Sequence, residues 1–333
     1  MIDSLLFIIN ECSNALLYNL TRQVQIMTEI TKGYLYGISA ALIWCGFILV
    51  SRMGGVSELS SYDVIAIRYL TCASILLPVW LYFHFSNSHL RFNLFDPKLV
   101  MASLVGGLAY ALFTFKGFEM APASHAAVLL PGLIPLLIIA LALLVNKERQ
   151  GLGKWLGMGV IALGITMLFY RQLSNGEGVT LGHANLALGA LCWAIFTVLI
   201  KRWNISPWQA TVSLAVITCI LYLPVYVLWL PKNISMNVLP DIALQAFYQG
   251  VMATIIQMFL YVRAVQLLGP STMGTLMAIV PVLSGVAALF VFNEAASKEL
   301  IAGLVLVSGG AWLAHSKTFE KKLQLRTSAP HAR

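Results

Sequence analysis

Polar side chains recur at helical spacing inside otherwise apolar segments of this sequence. Thr254, Gln257 and Tyr261 follow one another at steps of three and four residues, which places them on one face of a helix. Tyr110 and Thr114 are spaced in the same way. Amide and hydroxyl groups in a membrane need partners that lipid cannot supply. The two stripes therefore predict a site that binds a small molecule, with a hydrogen bond between helices as the alternative role of Gln257.

Two tryptophans extend this pattern. Trp44 and Trp193 stand at matching places in ALIWCGFILVSR from Ala41 and ALCWAIFTVLIK from Ala190. Aromatic residues in membrane segments also serve as packing groups or interfacial anchors, so each one alone is a weak signal. Their symmetric placement favours a shared site. We predict that the substrate contacts Trp44, Tyr110, Thr114, Trp193, Thr197, Thr254, Gln257 and Tyr261.

Charged side chains near the segment ends suggest gates. Lys116 and Arg263 lie close to opposite interfaces, where long side chains extend to the lipid headgroups. The functional alternative is a pair of cationic gates that attract a carboxylate, with His125 beside Lys116.

None of the 13 acidic residues falls in the middle third of an apolar segment. A proton-binding site built on a buried carboxylate is therefore disfavoured, and His125 remains as the titrating switch. The pattern favours a site for neutral or zwitterionic small molecules. Arg68, two turns into the second segment, is expected to extend to the headgroups or to pair with Asp63 or Glu58.

Enzyme chemistry finds no support in the sequence. The five cysteines lack metal-ligand spacing, and no Ser lies in a Gly-x-Ser-x-Gly turn. We expect no catalytic residues, no metal and no cofactor.

The composition is that of an integral membrane protein. Of 333 residues, 59% are hydrophobic and only 10% are charged. Ten apolar segments approach the ~20 residues that cross a bilayer as a helix. With the amino terminus inside, 15 Lys and Arg fall in cytoplasmic segments and five in outer loops, which predicts that both termini are cytoplasmic. The net charge of +8 then reflects topology and contact with the lipid bilayer, and no nucleic-acid partner is expected.

The sequence contains an internal repeat of two similar copies. LSSYDV from Leu59 matches ISPWQA from Ile205 at an offset of 146, and FKGFEMAPAS from Phe115 matches VRAVQLLGPS from Val262 at 147. Each copy holds five predicted spans, an odd number, so the second copy must enter the membrane from the opposite side. Inverted repeats of this kind are typical of secondary transporters with a site near the midplane.

Longer motifs carry a family resemblance. APASHAAVLLPGLIP and NKERQGLGKWLGMGVIALGI in the first copy return as GPSTMGTLMAIVP and NEAASKELIAGLVLVSGG in the second. This order is similar to the EamA family of the drug/metabolite transporter superfamily, from about Lys32 to Ser316. The resemblance implies an all-α bundle of ten transmembrane helices, arranged as two inverted five-helix repeats around a central cavity. It also implies export or exchange of amino acids and other small metabolites.

Prolines interrupt the fourth segment of each copy. Pro131 and Pro135 lie in the fourth and Pro281 in the ninth, where each removes a backbone donor and loosens the helix. Together with the repeat they predict hinges beside the cavity, although membrane helices often contain proline without such a role.

Several assignments complete the prediction. Hydrophobic or aromatic amino acids are the favoured substrates, with a phosphate-bearing or nucleotide-type metabolite, or a channel, as alternatives. The bacterial inner membrane is the expected location, and the oligomeric state stays open, with a monomer as one possibility. The predicted divisions are an amino-terminal segment 1–33 (an interfacial helix or a non-native start), a first repeat 34–170, a loop 171–185, a second repeat 186–314 and a basic tail 315–333.

Overall fold

The computed structural model describes residues 2–55, 57–86, 88, 90–121, 123–146, 151–174, 181–277, 279–292 and 298–315. Within these residues the regular structure is entirely helical, as predicted. The α-helices are α1 (Ile2–Gly55), α2 (Ser61–Phe85), α3 (Pro97–Ser103), α4 (Tyr110–Met120), α5 (Ala123–Asn146), α6 (Leu152–Ser174), α7 (Leu181–Arg202), α8 (Pro207–Trp229), α9 (Leu239–Gln245), α10 (Gln257–Leu268), α11 (Pro270–Met277), α12 (Val280–Val291) and α13 (Lys298–His315).

Two π-helical segments join shorter helices into continuous rods. The first π-segment, Leu104–Ala109, connects α3 to α4, and the second, Ala246–Ile256, connects α9 to α10. A short 3-10 turn, Met236–Val238, precedes α9. A π-turn widens the helix locally and frequently marks a functional site.

Seven helical runs in the described residues are long and apolar enough to cross a membrane. In a bilayer the backbone must satisfy its own hydrogen bonds, which is why these runs are helices. Two shorter apolar stretches, Gly132–Leu141 within α5 and Leu152–Met167 within α6, accompany them. The chain is thus a multi-pass membrane protein, and the predicted count of ten spans is not confirmed. The seven runs are Met27–Gly55, Ser61–Phe85, Pro97–Met120, Leu181–Arg202, Pro207–Trp229, Met236–Leu268 and Pro270–Val291.

Matching capping boxes start α2 and α8. The hydroxyl of Ser60 accepts from the backbone N–H of Asp63 at 3.2 Å, and the Asp63 carboxylate accepts from the Ser60 N–H at 2.8 Å. Ser206 and Gln209 repeat this exchange at 3.1 Å and 3.0 Å. Each reciprocal pair satisfies two N–H groups that a helix start would otherwise leave unpaired. The caps explain why the repeated stretches LSSYDV and ISPWQA both begin helices.

The helices α2 and α8 pack against each other in opposite directions. The hydroxyl of Tyr226, near the end of α8, donates to Asp63 at the start of α2 at 2.5 Å. At the other end of the pair, the Phe83 and Trp208 rings lie 5.7 Å apart. The Asp63 carboxylate is fully buried and also accepts from the Asn233 N–H at 3.2 Å. These contacts satisfy its charge without a cation.

Helices α6 and α13 approach to backbone contact through glycine. A Cβ on Gly157 would lie 2.6 Å from the carbonyl oxygen of Gly310, and one on Gly164 would lie 3.0 Å from that of Gly303. The earlier glycine of α6 meets the later glycine of α13, so the two helices run antiparallel. Small residues at such crossings allow the close packing that holds membrane helices together.

Glycines in the two π-segments make equivalent contacts. A Cβ on Gly107 would lie 3.3 Å from the side chain of Leu214 in α8. A Cβ on Gly250 would lie 2.7 Å from the side chain of Thr71 in α2. Each π-segment therefore packs closely on the antiparallel α2–α8 pair, from opposite halves of the chain.

Candidate functional site

Four aromatic rings from four helices meet inside the protein. The Trp193 ring lies 4.9 Å from Trp44, 4.8 Å from Tyr110 and 5.3 Å from Tyr261, measured between ring centroids. Trp44 and Tyr261 are 6.0 Å apart. Three of these four contacts are edge-to-face and one is tilted, arrangements that aromatic pairs favour. We call Trp44, Tyr110, Trp193 and Tyr261 the central aromatic cluster.

Each half of the chain contributes two rings to the central aromatic cluster. Trp44 comes from α1 and Tyr110 from α4, while Trp193 comes from α7 and Tyr261 from α10. Packing of α1 on α10 and of α4 on α7 brings the rings together. All four side chains are at most 3% exposed. A ligand bound among them would contact both halves at once.

Thr197 fixes one ring of the cluster. Its hydroxyl donates to the carbonyl oxygen of Trp193 at 2.8 Å, which uses its single proton. The phenol of Tyr261, 2.5 Å away, must therefore be the donor to the Thr197 oxygen. This pair orients the Tyr261 ring and satisfies its hydroxyl.

Four buried donors of the predicted site residues have no partner among the described atoms. These are the indole nitrogens of Trp44 and Trp193, the amide nitrogen of Gln257 and the Thr114 hydroxyl; outside the site, the indoles of Trp80 and Trp208 also lack a partner. Leaving a buried donor unpaired costs about 1–3 kcal/mol. Aromatic faces beside spare N–H groups can hold an apolar ring and hydrogen-bond a polar atom attached to it.

All eight predicted substrate-binding residues are buried, with exposures from 0% to 4%. Trp44, Tyr110, Trp193, Thr197 and Tyr261 contact one another as described above. Thr114 packs on Gly189, and its hydroxyl lies where a Cβ on that glycine would stand. The Thr254 hydroxyl donates to the Gln249 carbonyl at 2.6 Å, inside the second π-segment. A role in substrate binding stays a prediction for all eight.

The predicted gate residues occupy different environments. The Lys116 ammonium forms an ion pair with Glu119 at 2.9 Å, and Ser61 donates to the same carboxylate. The charge of Lys116 is therefore compensated. Arg263 is exposed. His125 lies in α5, and its side chain falls outside the described part of the structure.

The predicted hinge prolines also differ between the halves. Helix α5 runs without interruption through Pro131 and Pro135, whereas α11 ends at Met277 and α12 begins with Pro281 in its first turn. The Cα of Pro135 lies 3.4 Å from the Cβ position of Gly274, so this proline marks the crossing of α5 and α11. The side chain of Pro131 falls outside the described part. Hinge motion stays a prediction.

The prediction for Arg68 is wrong. The side chain is only 2% exposed, so it does not extend to the headgroups, and it pairs with neither Asp63 nor Glu58. Its guanidinium donates to the side-chain oxygen of Gln249 at 3.3 Å. The second π-segment covers α2 on this side, which leaves the side chain no path to lipid.

A polar chain extends from Arg68 to a third helix. The Gln249 amide nitrogen donates to the Ser51 hydroxyl at 2.9 Å. We call Arg68, Gln249 and Ser51 the Arg68 cluster. Sequence reasoning missed it because each residue stands alone in its own segment. The available signal was an Arg, a Gln and a Ser that each interrupt an apolar run.

Comparisons with known proteins address the fold and the family. Residues 31–170 and 180–315 each match the EamA-like transporter family. A solved structure described as "Crystal structure of protein" is 22% identical, with a TM-score of 0.63, and the match covers 90% of this chain and 99% of the other. That likeness shows the fold alone. No curated protein matches the chain significantly.

Proposed function

The chain belongs to the EamA-like transporter family, matched twice and over most of its length, and we propose that it is a secondary transporter of small metabolites. Proteins of this family are transporters and not enzymes. The favoured substrates are hydrophobic or aromatic amino acids, which the protein exports or exchanges.

The central aromatic cluster is the observation that carries this proposal. Two indole N–H groups, from Trp44 and Trp193, are buried beside aromatic faces without a partner among the described atoms. Aromatic faces bind apolar or aromatic side chains, and spare donors bind a carbonyl or carboxylate oxygen. An amino acid offers both groups within one small molecule.

Alternating access is the proposed mechanism. We propose ten spanning helices in two inverted five-helix repeats, with a central cavity at the aromatic cluster. The antiparallel packing of α6 on α13 through Gly157 and Gly310 supports the inversion, as do the paired π-segments. Pro135 and Pro281 are the proposed hinges. We propose that both termini lie in the cytoplasm and that the protein resides in a bacterial plasma membrane.

Counterflow in proteoliposomes tests the proposal. Vesicles loaded with unlabelled L-phenylalanine should accumulate labelled L-phenylalanine transiently, and the initial rate should saturate with concentration. Trp44→Phe and Gln257→Leu each remove one donor, worth about 1 kcal/mol, and should lower the rate about fivefold. Trp80→Phe is the matched control, because its ring packs on His84 and lies outside the cluster.

Two results would contradict the proposal. Flux that rises linearly without saturation would indicate a channel. Counterflow of phosphate-bearing metabolites without any counterflow of amino acids would favour the alternative substrate class. Gel filtration of each variant in detergent checks that it remains folded.

A further inference from the structure

We infer that the Arg68 cluster is an anion-binding site that holds the carboxylate of the transported molecule. The inference rests on the proposed transport function and adds a second contact region beyond the central aromatic cluster. It assigns the carboxylate to the guanidinium of Arg68, with Gln249 as the neighbouring donor and acceptor.

The charge on Arg68 is buried and uncompensated. A guanidinium is always protonated in proteins, and this one is 2% exposed. It forms no ion pair with any carboxylate of the described residues. Asp63, the nearest acid along the helix, is already engaged by Ser60 and Tyr226. An unpaired charge in a membrane is costly, and positions that retain one are commonly functional.

Part of the guanidinium is unused. The Arg68 Nε has no hydrogen-bond partner among the described atoms, and the only bond from its terminal nitrogens is the 3.3 Å contact to Gln249. The rings of Phe47, Tyr69 and Phe115 surround it at 5.4 to 5.8 Å. A guanidinium with free donors in an apolar setting fits a planar carboxylate through two parallel bonds.

A small cavity reaches the cluster from one end of the helices. Its volume is about 20 Å³, and Ser51 and Phe115 line it together with Glu119. Ser51 belongs to the Arg68 cluster, and Phe115 is one of the rings around the guanidinium. The cavity therefore adjoins the Arg68 cluster at Ser51.

The repeat shows that the fold does not require this cluster. The counterpart of Arg68 in the second half is Leu214, at the offset of 146 that relates the two capping boxes. Ser51 corresponds to Ile200 in the match of ALIWCGFILVSR with ALCWAIFTVLIK, and Gln249 corresponds to Ala102 at the offset of 147 that relates FKGFEMAPAS to VRAVQLLGPS. All three counterparts are buried and apolar. These positions of the second repeat thus pack without polar groups. This indicates that Ser51, Arg68 and Gln249 in their polar form have a functional role.

The site favours a carboxylate over a phosphate. One guanidinium balances one negative charge, whereas a phosphate monoester carries up to two and usually draws several cations. Lys116 near the cavity is already paired with Glu119 at 2.9 Å. A monoanionic group is therefore the better match.

Ligand-dependent thermal stability of the purified full chain in detergent tests the inference. The probes are L-phenylalanine, 3-phenylpropanoate, phenethylamine and phenyl phosphate. The variants are Arg68→Met, which removes the charge at similar volume, Arg68→Lys, which keeps it, and the matched control Leu214→Met in the other half. Arg68→Met removes a buried charge that has no carboxylate partner among the described residues, and with it the desolvation cost of that charge, so this variant should fold.

Both carboxylates should raise the melting temperature of the natural chain, and phenethylamine should not. Arg68→Met should weaken carboxylate binding at least tenfold, Arg68→Lys should weaken it less, and Leu214→Met should behave as the natural chain. Equal stabilisation by phenethylamine, no shift with either carboxylate, or an unchanged response of Arg68→Met would each overturn the inference. A larger shift with phenyl phosphate would overturn the carboxylate assignment.

The transport assay separates the two proposals. Saturable counterflow without carboxylate-dependent stabilisation would remove the inference and leave the transport function standing. Carboxylate-dependent stabilisation lost in Arg68→Met, without counterflow of any substrate, would remove the transport function and leave the binding site.

Discussion

The hydrogen bond between Thr197 and Tyr261 offers a direct test of the central aromatic cluster. The perturbation is a double-mutant cycle of Thr197→Val, Tyr261→Phe and the combined variant. Both substitutions keep the shape of the side chain and remove only its hydroxyl. Both residues are 0% exposed, so water cannot replace the lost partner.

The expected losses of stability depend on which of the two hydroxyls donates the hydrogen bond. Thr197 uses its proton on the Trp193 carbonyl at 2.8 Å, so Tyr261 donates across the 2.5 Å contact. Thr197→Val leaves the buried phenol of Tyr261 without an acceptor and should lower the free energy of unfolding by about 1–3 kcal/mol. Tyr261→Phe leaves Thr197 bonded to Trp193 and should cost about 0.5–1.5 kcal/mol. The combined variant should be more stable than additivity predicts by about 0.6–1.7 kcal/mol.

Unfolding of each variant by sodium dodecyl sulfate in mixed micelles, followed by tryptophan fluorescence, measures these differences. Trp80→Phe, whose ring contacts His84 outside the cluster, controls for a change in fluorescence without a change in this bond. Additive effects of the two substitutions, within about 0.3 kcal/mol, would refute the reasoning, because the two hydroxyls would then not be coupled.

Two further changes test the helix packing and the buried acid. Gly310→Ala should destabilise the chain by about 1–3 kcal/mol, because its Cβ would lie 2.7 Å from the Gly157 carbonyl oxygen, whereas Gly309→Ala meets nothing within 4 Å and should be neutral or stabilising. Thermal unfolding in detergent distinguishes them, and equal effects would contradict the α6–α13 crossing. Asp63→Asn should cost about 1–3 kcal/mol, because it weakens the α2 cap and the bond to Tyr226, and an unchanged melting temperature would contradict both contacts.

Much of the fold could be predicted from the sequence because its signals are local. Apolar runs of about 20 residues must be helices in lipid. Ser60 and Ser206 are N-cap residues that mark the starts of two helices. The predicted number of ten spans is not confirmed, since seven helices in the described residues have the length and hydropathy of a crossing. The π-segments were not predicted from the sequence.

The candidate site was predicted unevenly. Helical spacing and the repeat selected Trp44 and Trp193, and the structure places their rings 4.9 Å apart. The same spacing argument treated Arg68 as a side chain free to reach the headgroups. Only the packing of the second π-segment, which carries Gln249, makes that path impossible.

By itself, the sequence determined the class of protein, the helical segments and the duplication, because hydropathy, capping and repetition are properties of residues near one another in the chain. The tertiary structure alone decided which polar groups meet. Ser51, Arg68 and Gln249 lie on three different helices, and the bonds that join Gln249 to Arg68 and to Ser51 connect residues 181 and 198 positions apart. Contacts at that separation depend on how helices cross, and the crossing is set by small residues such as Gly250 and the side chains they face.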